Sequence, residues 1–150
     1  ARMKILVPVD GSAHSKEALK VAMDFVKTKG AEVLVISVVA QIGGLVDHEI
    51  SPARRERITA GLEKIAEDAV KDACAILSAD NITSSCTKTI LTSISVPDAI
   101  IDFVEKEQID LIVMGSRGLS PSARFKMGSV ASQVVRDCPC SIYLVKTPAA

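Results

Sequence analysis

Val113-Met-Gly-Ser-Arg-Gly-Leu-Ser-Pro-Ser-Ala-Arg-Phe-Lys-Met-Gly-Ser-Val130 leads from an apolar run, Ile109 to Met114, through a glycine-punctuated loop into an apolar-periodic segment starting at Ser129. That order is strand, loop, helix. Gly115 and Gly118 are separated by two residues, Gly128 follows after nine more, and Ser129 stands directly behind it. Glycine accepts positive φ and lets another group approach the backbone without a Cβ in the way. Ser129 is a favourable N-cap for a helix through Val130, Val134 and Val135. At such a helix start, free N–H groups and the helix dipole favour an anion. Arg117, Arg124 and Lys126 lie between the glycines, and no acidic residue does. Glycines beside strand ends also serve as ordinary turn residues, and surface arginines are ordinarily only solvated. The combination of strand, spaced glycines, basic loop and capped helix describes a loop built to hold a polyphosphate. It is neither of the standard phosphate motifs, since no G-x-x-x-x-G-K-[ST] occurs and no G-x-G-x-x-G follows the first strand.

Working outward, Lys4-Ile-Leu-Val-Pro8 is an apolar run of strand length that ends in the turn cluster Val9-Asp10-Gly11-Ser12. A helix follows with Ser12 or Ser15 as its cap, a stripe of Ala18, Leu19, Ala22, Phe25 and Val26, and Gly30 as its stop. Glu32 to Val39 is apolar almost throughout and predicts a central strand buried on both faces. Gln41 to Ser51, with Gly43-Gly44, reads as a mobile loop carrying a surface histidine, His48; His14 reads as an exposed first-turn residue. From Ala53 to Leu77 the positions Ile58, Leu62, Ile65, Ala69, Ala73 and Ile76 recur at steps of three and four, the mark of a long amphipathic helix. Its Arg54-Arg-Glu-Arg57 start reads as a solvated face. Ile82 to Leu91 alternates weakly and is polar, as an edge strand would be. Ser95-Val-Pro-Asp98 opens a helix through Ile100, Ile101 and Val104 with a capping box and a first-turn proline. Leu111 to Met114 is the fourth strand, and Ser141 to Val145 the fifth.

Strands alternating with helices predict an α/β fold: a single doubly wound, five-stranded parallel sheet with helices on both faces, Rossmann-like, over one domain spanning 1–150. At 150 residues such a chain buries roughly two thirds of its unfolded surface. An apolar content of 48% with only 3% aromatics implies an aliphatic core, which suits a parallel sheet covered by helices. The 18 basic and 18 acidic residues balance, so no global field recruits nucleic acid or an anionic membrane, and an anion site must be local. No apolar run approaches the roughly 18 residues of a membrane helix, and no signal pattern precedes the first strand, so a cytoplasmic protein is expected. Cys74, Cys86, Cys138 and Cys140 read as core or strand residues, with metal or redox use the alternative. Cys138-Pro-Cys140 has neither zinc-ribbon nor thioredoxin spacing.

In a doubly wound sheet, ligands sit beyond the carboxyl ends of the strands where the winding reverses. Asp10 and Gly115 both lie just past strand ends. If the first and fourth strands are neighbours, Asp10 faces the glycine loop, where a carboxylate can accept hydrogen bonds from a ribose; the alternative for Asp10 is a turn or helix-capping role.

Pro8-Val9-Asp10-Gly11-Ser12, the strand Glu32 to Val39, and Gly115-x2-Gly118-x9-Gly128-Ser129 together resemble the universal stress protein family, and the likeness covers nearly the whole chain. The G-x2-G-x9-G-[S/T] spacing resembles the branch of that family that binds ATP. The resemblance implies that Asp10 contacts the ribose, that Pro8 and Val9 line the adenine side, and that the backbone of Val38 reads the adenine edge. It further implies Gly115 beside the ribose, with Met114 ahead of it, and Gly118, Gly128, Ser129 and Val130 around the phosphates. A phosphate contact from Arg117, at a variable position of the motif, is inferred from its charge. Homodimerisation through the last strand, Ser141 to Val145, is likewise implied, and an apolar edge strand invites such pairing. Where the family often has glycine before the proline of the third helix, this chain has Ser95-Val96-Pro97.

The expectation is therefore a dimeric ATP-binding regulatory protein of the stress response, acting on an unknown protein partner, with any Mg²⁺ carried on the phosphates. A slow ATP hydrolase, an adenylating enzyme or an autophosphorylating enzyme on the same fold is the alternative. Phosphoanhydride hydrolysis needs Mg²⁺ ligands and a residue to orient the nucleophile, and no such set stands near the loop, so no catalytic residue is assigned. Ser116, Ser120, Ser122 and Ser129 are the candidate phosphoryl acceptors. Gly115-Ser-Arg-Gly118 also matches the GXXG loop of KH domains. That loop joins two helices, whereas this one follows a strand in a chain of zero net charge.

Overall fold

Pro8 fixes the end of the first strand, β1 (Lys4–Pro8), whose centre, Ile5, Leu6 and Val7, is fully buried. The computed structural model describes residues 2–41, 51–82, 86–118 and 127–147, with the backbone alone for 86–88. Most of the expected loop Gln41 to Ser51, with His48, lies outside those residues, as do Ser120, Ser122, Arg124 and Lys126. Helix α1 (Ala13–Lys29) starts at Ser12, whose hydroxyl accepts the Ser15 N–H, and stops at Gly30, which takes the left-handed φ of 67° that glycine adopts without strain. Strand β2 (Glu32–Ala40) follows, buried from Val33 to Ser37 on both faces.

Helix α2 (Pro52–Ala79) starts one residue before the expected Ala53, behind an N-cap, Ser51, that accepts the Arg54 N–H. Its stripe of Ala66, Ala69, Val70, Ala73 and Leu77 is buried. Strand β3 (Cys86–Ser93) starts later than the alternation suggests. Ile82 is buried not as a strand residue but under the end of α2, its N–H bonded to Leu77 O after Asn81 turns through a left-handed φ of 60°. Helix α3 (Val96–Glu107) has Ser95 as N-cap, accepting the Asp98 N–H, with Pro97 in its first turn. Strand β4 (Leu111–Gly115) is buried throughout. Helix α4 (Ser129–Asp137) and strand β5 (Ser141–Val145) complete the order.

All pairings are parallel, and the strand order is β3-β2-β1-β4-β5. This is the doubly wound, Rossmann-like sheet that the alternation predicts, with β3 and β5 at its edges. Strand pleating sends alternate side chains to opposite faces. Ile5, Val7, Val33, Val35 and Val113 therefore pack with α1 and α2, while Leu6, Leu34, Ile36, Ile112 and Met114 pack with α3 and α4. Each such fully buried aliphatic side chain contributes about 1.5–3 kcal/mol by leaving water. Among the described residues no helix is long and apolar enough to cross a membrane.

Candidate functional site

β1 and β4 are neighbours, paired Ile5 to Leu111 and Leu6 to Ile112. From β1 the chain winds outward through β2 and β3, and from β4 it winds the other way to β5. The reversal opens a crevice at the carboxyl ends of β1 and β4.

Beyond Pro8, Val9 donates its N–H to Ile36 O at 2.8 Å and is buried. The chain then turns: Asp10 Oδ1 accepts the Ser12 N–H at 2.9 Å, and Gly11 takes a left-handed φ of 85°. Asp10 thus has the turn role after all, through one oxygen. Its other oxygen, Oδ2, lies so near Gly118 that a Cβ there would be 2.7 Å from it. The same carboxylate therefore shapes the turn into α1 and faces the glycine loop across the crevice.

Gly115 serves a different need. A Cβ on it would meet the Cβ, carbonyl carbon and carbonyl oxygen of His14 at 2.9, 3.0 and 3.0 Å, so the first turn of α1 can seat on the end of β4 only over a glycine. His14 is accordingly half-buried, not the exposed residue expected, and its Nδ1 hydrogen-bonds Thr147 Oγ1.

The loop is closed at its base. Gly128 donates to Ser116 O at 2.7 Å, and Ser116 donates to Val145 O at 3.0 Å. Ser116 is buried, which takes it away from phosphoryl transfer, whereas Ser129 is exposed. The N-cap of α4 is Gly128, not Ser129 as the sequence suggests: Gly128 has the extended φ of −72° and ψ of 161°, and its carbonyl accepts the Ser132 N–H at 3.0 Å. Ser129 is the first helical residue, and the N-cap, being glycine, supplies no capping side chain. The first-turn N–H groups and the positive end of the helix dipole thus meet the crevice with no capping oxygen from the N-cap residue itself.

A cavity of about 220 Å³ occupies the crevice. All eleven residues singled out in the sequence line it. Pro8, Val9 and Asp10 come from β1 and its turn, and Val38 from β2. Met114, Gly115, Arg117 and Gly118 come from β4 and the loop, and Gly128, Ser129 and Val130 from the start of α4. Ser15, Val96, Ile100 and Ala131 also line it and were missed. Val96 and Ile100, one turn apart at the start of α3, carry the same signal as core positions; Ser15 looks like a second helix cap, which its bonds to Ser12 make it in part.

Chemically the cavity has two kinds of wall. Val38, Met114, Val96 and Ile100 offer an apolar slot suited to a planar heteroaromatic ring. Asp10, Arg117 and the α4 N-terminus offer one acceptor and several donors, suited to a hydroxyl-bearing, anionic group. Among the described residues, no group of three His, Cys, Asp or Glu side chains could hold a metal ion.

The model of the universal stress protein family matches residues 1–146. Universal stress protein MJ0531 of Methanocaldococcus jannaschii is 32% identical over 152 residues, an alignment covering 97% of this chain and 82% of that protein. Of solved structures, universal stress protein UspA from Lactobacillus plantarum superposes with a TM-score of 0.81 at 26% identity, covering 97% of this chain and 99% of that one. The universal stress protein from Archaeoglobus fulgidus, solved in complex with dAMP, superposes with a TM-score of 0.66 at 23% identity, covering 96% and 98%; at that identity the likeness concerns the fold.

Proposed function

The chain belongs to the universal stress protein family, and from that premise we propose that it is an ATP-binding regulatory protein whose nucleotide occupies the cavity between β1 and β4. The observation that carries this reading is the convergence on one cavity of an apolar slot, the Asp10 carboxylate and a helix N-terminus whose N-cap is a glycine. Adenine would lie against Val38, Val96 and Ile100, and the ribose hydroxyls would donate to Asp10. The phosphates would reach Arg117, Gly118 and the first turn of α4. That the Archaeoglobus fulgidus relative was solved with dAMP supports an adenine nucleotide. Any Mg²⁺ would be held chiefly by the phosphates.

Regulation requires the nucleotide to favour one of two states of the Gly115 to Gly128 loop, since a ligand shifts an equilibrium only by its differential affinity. The base of that loop is tied through Ser116 to Val145 on the edge strand β5. That link supports a dimer formed along β5, which exposes Tyr143 at 45%. The test is a melt of nucleotide-free protein with and without Mg-ATP. At about a hundredfold over the dissociation constant, ATP should add roughly 2.7 kcal/mol. An unshifted melt would reject ATP as the ligand, and acid extraction of the purified protein, followed by chromatography, identifies the nucleotide it carries.

A further inference from the structure

Cys138-Pro-Cys140 lies at the end of α4 remote from the cavity. Cys138 is the C-cap of α4, held by its N–H to Val134 O at 2.9 Å, with an extended backbone of φ −79° and ψ 135°. Pro139 restricts the next φ, and Cys140 leads directly into β5. Both side chains are half-buried at the rim of the α3 and α4 core, and both are free thiols. Their Sγ atoms stand 3.6 Å apart, one S–H donating to the other sulfur, and Cys140 Sγ lies 3.4 Å from Ser141 O. The two rotamers already point at each other across one intervening residue, and the sulfurs need approach by only about 1.5 Å to reach bonding distance.

We propose that Cys138 and Cys140 form a vicinal-dithiol site that closes to an intrachain disulfide by exchange with a small disulfide such as glutathione disulfide. The Cys138 sulfur, as thiolate, attacks one sulfur of the small disulfide, forming a mixed disulfide and releasing one thiolate. The Cys140 sulfur then attacks Cys138 Sγ, displacing the second small thiolate, which takes up the Cys140 proton. The protein loses two protons and two electrons, and the small disulfide gains them to become two thiols. Cys140 is the resolving partner: its S–H is engaged by Ser141 O at 3.4 Å, and burial, then the hydrogen bond with Cys138, pushes that thiol up. Closure would tie the C-cap of α4 to the residue directly before β5.

The experiment treats the folded, reduced full chain with glutathione disulfide near neutral pH, quenches with acid, and weighs the peptide carrying both cysteines. The expected result is loss of two hydrogens without a retained glutathione, reversed by dithiothreitol. Cys140→Ser should instead accumulate one glutathione on Cys138. Stable glutathione adducts on the wild-type peptide, or a peptide that stays a dithiol in the folded chain while closing in urea, would overturn the proposal. The wild-type measurement decides this even if the variant folds poorly, and Cys74, in α2, is the internal reference that takes adducts only.

Discussion

Gly118 approaches Asp10 so closely that a Cβ built on it would stand 2.7 Å from Asp10 Oδ2. The contact joins the turn after β1 to the loop after β4, the two segments that the proposed nucleotide would bridge. Asp10 has little freedom to retreat, because Oδ1 is held by the Ser12 N–H at 2.9 Å.

Gly118→Ala should therefore act on binding. The methyl group rotates the carboxylate out of place or breaks its bond to Ser12, a loss of about 0.5–1.5 kcal/mol for one hydrogen bond. Adenine nucleotide affinity, measured by calorimetry, should fall about tenfold, equivalent to about 1.4 kcal/mol, while the melting temperature of the nucleotide-free chain falls by only about 2–4 °C per kcal/mol of the lost bond. Unchanged affinity would remove Asp10 and Gly118 from the site.

Gly115→Ala should act on stability. Its Cβ would meet the Cβ and the backbone carbonyl of His14, which cannot move without shifting the start of α1. Overpacking of this kind costs about 1–3 kcal/mol. A lower midpoint in urea with an unchanged slope is the expected reading. A wild-type midpoint would mean that α1 seats on β4 less tightly than these contacts imply.

Arg117→Ala separates phosphate from nucleoside. Arg117 lines the cavity beside the α4 N-terminus, and a charge-assisted hydrogen bond to phosphate is worth about 1.5–3 kcal/mol. ATP binding should weaken by roughly tenfold or more, while adenosine binding stays as it was. Equal losses for both ligands would place Arg117 at the base or sugar instead.

Much of this was legible in the sequence, for reasons that differ by element. β1, β4 and β5 are apolar runs closed by Pro8, Gly115 and the chain after Val145, and their bounds follow from side-chain chemistry. Asp10 and the three glycines were legible because backbone turns and close approaches restrict residue type. The adjacency of β1 and β4 is a long-range fact that neither strand's sequence carries, so the facing of Asp10 and Gly118 could only be conditional. Val96 and Ile100 were hidden because a helix position that lines a cavity mouth looks the same as one that fills a core. The burial of His14 is hidden for a related reason: what half-buries it is not its own helix but the glycine at the end of β4 and Thr147. The cap of α4 differs by one residue from the sequence expectation because serine is the better intrinsic cap, yet it is Gly128 that holds the extended dihedrals.

The dithiol leaves a mark on the pH dependence of stability. Burial and Cys138 raise the Cys140 thiol from its ordinary 9.0 to about 12, so the folded chain keeps a proton that the unfolded chain releases from about pH 9 upward. Where the folded state binds more protons, stability falls with rising pH. This contribution is therefore complete below pH 9 and is lost as pH climbs toward 12. Lys27, raised by its hydrogen bond to Asp80, and Lys64, raised by Asp68, also lose stabilisation on the alkaline side, but only above the ordinary lysine value of 10.5. Both are fully exposed, so their share is small and screened by salt. The interval between the thiol and lysine values isolates the cysteine pair. Urea midpoints of the reduced wild type should drift downward across it, and those of Cys140→Ala should drift less. Parallel drifts would show that the thiol is solvated as freely in the folded chain as in the unfolded one.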